Sequence, residues 1–141
     1  MKYVRNMKDV QEGSANTIVS VGTHEFIITL VKNKVTKNGD PMASIKLECN
    51  FGDTDQGNSC WDNIVIPKED SPAIKIMGRT KHFLHCIGEP YDTDNLDIDD
   101  ARWINKIVTA EVIHEGPNEH HKGTVAVISK YILVEGLGGN F

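Results

Sequence analysis

The stretch Thr23 to Lys34 constrains this chain more than any other. Read as an extended strand, it puts Phe26, Ile28 and Leu30 on one face and Ile27, Thr29 and Val31 on the other. A strand that is apolar on both faces needs cover on both sides, which a barrel or sandwich wall supplies. A second stretch, Thr124 to Val134, is β-branched and apolar almost throughout. Two such strands in a chain of 141 residues, the size of one ordinary domain, point to a β architecture closed on itself.

The segments between them fill in the order. Lys37-Asn38-Gly39-Asp40 carries Asn-Gly, a strong hairpin signal. The return strand, 41–49, alternates Ala43, Ile45, Leu47 and Cys49 with Ser44, Lys46 and Glu48, which predicts one wet face. A polar loop over 52–59 leads to a third strand, Trp61 to Ile66, stopped by Pro67. Ser71 and Pro72 then suit the start of a helix, and Ala73, Ile76 or Met77, Thr80, Leu84 and Ile87 recur at helical spacing. Gly88 and Pro90 end it. One helical turn is expected near 98–104, a fourth strand over 107–114 and a fifth over 124–134. The segment 17–21 reads as a possible short strand.

Three strands, a helix and two strands give the order of a five-stranded oligonucleotide/oligosaccharide-binding (OB) barrel, with its helix between the third and fourth strands. An open α+β sheet fits the same string. One helix covers the end of a barrel well and the face of a large sheet poorly. No repeat or composition break divides the chain, so residues 1–141 read as one domain, with loosely ordered ends over 1–21 and 135–141.

Several classes are disfavoured. No apolar run approaches the roughly 20 residues a membrane helix needs. The first residues lack an apolar core behind their charges, so a secretory signal is not expected and the cytoplasm is the expected compartment. Cys49, Cys60 and Cys86 have neither even number nor C-x-x-C spacing, and read as reduced thiols. Net charge is −5, which on its face opposes nucleic acid. Six of the acids, however, lie in residues 89–100 with no base among them, and the remainder balances 15 Lys and Arg against 14 Asp and Glu.

Catalytic and metal motifs are wanting. His114, His120 and His121 surround a Gly/Pro loop and read as exposed side chains; His82, His85 and Cys86 read as helix residues. Asp53 and Asp55 lack the twelfth-position ligand of a calcium loop, since residue 64 is Ile64. No phosphate loop, nucleophile elbow or His-Glu-x-x-His is present. The expectation is no enzyme, no cofactor and no metal.

Five pieces in order resemble a family of small phage proteins found near replication and recombination genes. That family is often catalogued as a domain of unknown function and sometimes as single-stranded DNA-binding proteins of the OB type. The pieces are Gly22-Thr23-His24-Glu25-Phe26, Thr36-Lys37-Asn38-Gly39-Asp40-Pro41-Met42 and Trp61-Asp62-Asn63-Ile64-Val65-Ile66. Phe83-Leu84-His85-Cys86-Ile87-Gly88-Glu89-Pro90 follows, then Lys122-Gly123 with Ile128-Ser129-Lys130-Tyr131-Ile132. The last hairpin departs from the family's basic Tyr-Asn-Gly-Lys pattern. The resemblance implies binding of single-stranded DNA without base specificity, with phage replication or recombination proteins as partners.

A single-strand groove needs cations along the phosphates and aromatic faces under the bases. Lys32, Lys34, Lys37 and Lys46 cluster on the first hairpin, diluted only by Asp40 and Glu48, and Lys122 and Lys130 lie on the last. Phe51 and Trp61 are the best stacking candidates, Tyr131 is divided between the groove and the core, and Trp103 reads as core. A homodimer is a further expectation, from two exposed hairpins and a long fifth strand. The competing expectation is a protein-interaction OB module, a phage accessory or anti-defence factor, that uses the acidic residues 89–100 as a docking strip. In the first case those acids are a solvated, mobile segment, or a lid over the groove.

Overall fold

The computed structural model describes residues 1–6, 18–117, 119 and 123–134. Five strands form one antiparallel sheet: β1 (Gly22–Val35), β2 (Pro41–Cys49), β3 (Ser59–Val65), β4 (Ile107–Glu115) and β5 (Val125–Ile132). Their order is β3-β2-β1-β4-β5. One α-helix, α1 (Met77–Cys86), falls between β3 and β4, with short 3-10 turns over Ile74–Ile76 and Asp100–Trp103. The sheet has two edges, β3 and β5, and no ladder joins them among the described residues, so the sheet is not closed into a barrel. Residues 18–20 form no strand; Val19 instead docks into the core.

The first hairpin forms as its turn residues dictate. Gly39 takes φ 83°, a left-handed conformation open to glycine, and its N–H donates to the Thr36 carbonyl at 2.9 Å. Asp40 is buried behind this turn, where its carboxylate accepts from Ser71 Oγ at 2.6 Å and from the Lys68 N–H at 3.0 Å. Those bonds hold its carboxyl below the usual range. Ser71 Oγ in turn accepts from the Ala73 N–H at 3.0 Å. Ser71 thus ties the turn ahead of the helical segment to the hairpin, but it does not cap the helix as the sequence suggests: α1 starts later, at Met77, and has no side-chain cap.

The clearest departure from the alternating pattern lies in β1. Ile28 pairs with Leu47, but Leu30 pairs with Lys46, so Thr29 is the extra residue of a bulge. A bulge shifts the parity of everything after it. Phe26 and Ile28 are buried, whereas Leu30, expected beside them, is turned outward and Val31 packs against the core in its place. A similar shift at Ser129 interrupts β5, which had read as continuous: Lys130 pairs with Glu111 and Ile128 with Val112.

The core lies on the inner face of the curled sheet, and α1 contributes Thr80, Phe83 and Leu84 to it. Phe83 meets Trp103 edge-on at 5.1 Å between centroids and Tyr131 at 4.9 Å. Phe83 stands outside the helical set that the sequence suggested, yet it is the centre of this aromatic cluster. The helix ends as its Gly88 predicts: φ is 78°, Gly88 N–H reaches the His85 carbonyl and Glu89 N–H the Leu84 carbonyl.

β3 and β5 run in the same sense and are held by side chains. Tyr131 donates its hydroxyl to Asp62 Oδ2 at 2.5 Å, and Arg79 Nη2 donates to the same oxygen at 2.7 Å. The helix bonds both strands: Thr80 Oγ1 donates to the Val65 carbonyl at 2.6 Å, and His82 Nε2 to the Tyr131 carbonyl at 2.8 Å. Burial and the Asp62 charge push the Tyr131 phenol well above its ordinary pKa, so it remains a donor. Tyr131→Phe should lower unfolding free energy by about 1–3 kcal/mol, because Asp62 loses its buried donor. Urea denaturation checks this; an unchanged midpoint would assign the seam to packing alone.

Candidate nucleic-acid interface

The outer face of β1–β3 is fixed by register. Leu30, Lys46 and Trp61 form one cross-strand row, and Lys32, Ser44 and Asn63 form the next. The bulge at Thr29 creates the second row's cation, because it turns Lys32 and Lys34 outward together with Leu30. Lys32 Nζ then lies 5.3 Å from the centroid of the Trp61 ring. Trp61 is 42% exposed although it stands within a strand. Lys32, Lys34, Lys37 and Lys46 make no ion pair among the described residues.

Trp61 also lines a cleft of about 350 Å3 where the edges of β3 and β5 part. Ser59 and Cys60 share its wall, Val125, Ala126 and Val127 stand opposite, and Ile18 completes it. Its size falls at the low end of small-ligand sites, and its lining is apolar. Phe51, in the loop between β2 and β3, is 86% exposed. Lone exposed apolar residues are ordinary, and Phe51 is not among the residues that line the Trp61 cleft.

The other candidates divide. Tyr131 is buried, with Phe83 at one side of its ring and the Arg79 guanidinium 5.5 Å from its centroid, and it belongs to the core. Lys130 is exposed but its Nζ lies 3.9 Å from Glu111 Oε2. Lys122, His120, His121 and the segment 135–141 lie outside the described residues. His114 Nε2 donates to the Val19 carbonyl at 2.7 Å, a contact with the amino-terminal segment. His85 stacks on Tyr91 at 3.9 Å.

The acidic residues 89–100 are anchored at several points. Glu89 is buried and accepts from Arg102 Nε at 2.8 Å, with Lys106 Nζ at 3.5 Å. Asp92 pairs with Lys81 at 2.9 Å, Asp99 caps the turn at Ala101, and Asp100 accepts from Asn33. Tyr91, Leu96 and Ile98 pack against the core. Asp97, Asp99 and Asp100 border a cavity of about 700 Å3 that Lys34 and Lys68 also line. These carboxylates therefore sit beside Asn33 and Lys34 of the hairpin. Sequence reasoning missed this anchoring, although the apolar residues spaced among the acids carried the signal.

Among the described residues, no helix is long and apolar enough to cross a membrane. The two tryptophans differ in setting, since Trp103 is fully buried. Trp61→Phe should leave emission that is blue-shifted and resistant to acrylamide, while Trp103→Phe should leave red-shifted, readily quenched emission. Equal quenching of the two variants would contradict the exposure assigned to Trp61. In comparison with known proteins, no family model and no curated protein matches the chain.

Proposed function

We propose that this chain binds single-stranded DNA without sequence preference and serves phage replication or recombination. The observation that carries the reading is Trp61: an exposed ring with one cation over it, another as its cross-strand neighbour, and an apolar cleft at its side. Stacking on aromatic faces next to unpaired lysines is how single strands are held without base reading. We read the open sheet as the wall of an OB-like barrel with one seam unlaced, since the strand order and the helix position are those of that barrel, whose ligand face lies on the second and third strands. The resemblance to the phage family supports the same reading.

Lys32, Lys46 and Trp61 form the centre of the proposed contact. Phe51, Lys34, Lys37 and Lys130 flank it, and Tyr131 acts through the core. With three to five phosphates neutralised, log Kd should change with log salt at a slope of about 2–3.5. The test is anisotropy of a labelled oligo-dT of about 30 nucleotides at two salt concentrations. Trp61→Ala should weaken binding about 5- to 150-fold, the worth of one stacked base, with an unchanged unfolding midpoint. Lys32→Gln with Lys46→Gln should flatten the salt slope. No binding at low salt would overturn the reading and turn attention to a protein partner for residues 89–100.

A further inference from the structure

The ring of His24 is buried at the start of β1 and meets an oxygen at each nitrogen. Nε2 stands 2.8 Å from the Ser20 carbonyl, and Nδ1 stands 2.8 Å from Asp53 Oδ2. A carbonyl only accepts, so Nε2 carries a proton. A neutral ring in that tautomer would aim the Nδ1 lone pair at a carboxylate oxygen. A positive centre belongs between them, either a second proton or a metal ion.

A third donor atom lies close by. Cys49 Sγ, from the end of β2, joins Nδ1 and the Asp53 carboxylate in a cluster whose ligand atoms all lie within 4.8 Å of one another. Nitrogen, sulfur and oxygen converging from β1, β2 and the following loop are the donor chemistry of zinc. The bond from His24 Nε2 to a backbone carbonyl is the outer contact that orients metal-bound imidazoles. Asp55 adds a second carboxylate nearby and accepts from the Ser20 N–H at 2.6 Å. Burial and the charges of Asp53 and Asp55 push the Cys49 thiol up to about 12 in the metal-free chain.

We infer that His24 Nδ1, Cys49 Sγ and Asp53 bind one zinc ion, with water in the fourth position, and so fasten the segment at Ser20 to the loop between β2 and β3. Zinc bond lengths place tetrahedral donors on the order of 3–4 Å apart, so the three groups need only small shifts. On binding, Cys49 gives its thiol proton to solvent, and a proton on Nδ1 leaves likewise; no redox step is involved.

The experiment uses the full chain, stripped with a chelator and titrated with Co2+ and then Zn2+. One equivalent of Co2+ should give a thiolate-to-metal charge-transfer band, which Zn2+ removes, and Zn2+ should raise Tm. Cys49→Ser should lose the band, and Cys60→Ser should retain it. Asp53→Asn, which preserves side-chain shape, should weaken Co2+ binding at least about tenfold. A wild-type chain with no such band overturns the proposal whatever the variants do. So does a band that survives Cys49→Ser, or one that Cys60→Ser removes. Nitrogen-15 spectra showing protons on both ring nitrogens of His24 in saturating Zn2+ would assign the position to a proton.

Discussion

The Asp62 carboxylate, shared by Tyr131 and Arg79, is the interaction on which the rest of the structure depends. β3 and β5 are the free edges of a curled sheet and run in the same sense. A ladder between them would be parallel, the less stable kind per residue. The chain joins them by side chains, and α1 lies across the join, with Thr80 bonded to β3 and His82 to β5. Because the join is local, it fixes the strands at Asp62 and Tyr131 and lets them part at Ser59–Trp61 and Val125–Val127. The apolar cleft beside Trp61 is the consequence.

Much of this was legible in the sequence. The hairpin at Asn38-Gly39, the bounds of β2, the helix stop at Gly88 and the burial of Trp103 follow from turn chemistry and apolar pattern. What was not legible has physical causes. A bulge costs one residue and leaves no mark in composition, so nothing in Thr29 announces that Leu30 and Lys32 face outward. Phe83, by contrast, lies three residues after Thr80 and four before Ile87, on the buried face itself, so it was legible and was passed over; the 3-10 turn over Ile74–Ile76 instead leaves Ile76, assigned to that face, exposed. The seam at Asp62 and Tyr131 joins residues 69 apart, and the His24 cluster joins β1 to a loop 29 residues on. Such pairings depend on how strands stack, which local pattern does not encode.

Of the proposed contact residues, Trp61 and the lysines of the first hairpin gained most from the structure, because register gathers Lys32, Lys46 and Trp61 on one face. Net charge misled in the opposite direction. Glu89, Asp92 and Asp100 are engaged with Arg102, Lys106, Lys81 and Asn33, so these acids are held in place by their own local partners. On the face around Trp61, Lys32 and Lys46 make no ion pair among the described residues, and Glu48, on the same side of β2, is the acid nearest to them along that strand. For exposed charges, local balance within about a Debye length matters more than the total.

The central claim is that the parted edges of β3 and β5, with Trp61 between Lys32 and the cleft, form the ligand face. Amide chemical-shift mapping with oligo-dT tests it most directly. The account predicts shifts concentrated in residues 30–34, 44–46, 59–63 and 125–127. Shifts confined to 89–100, or to the exposed face of α1, would contradict it.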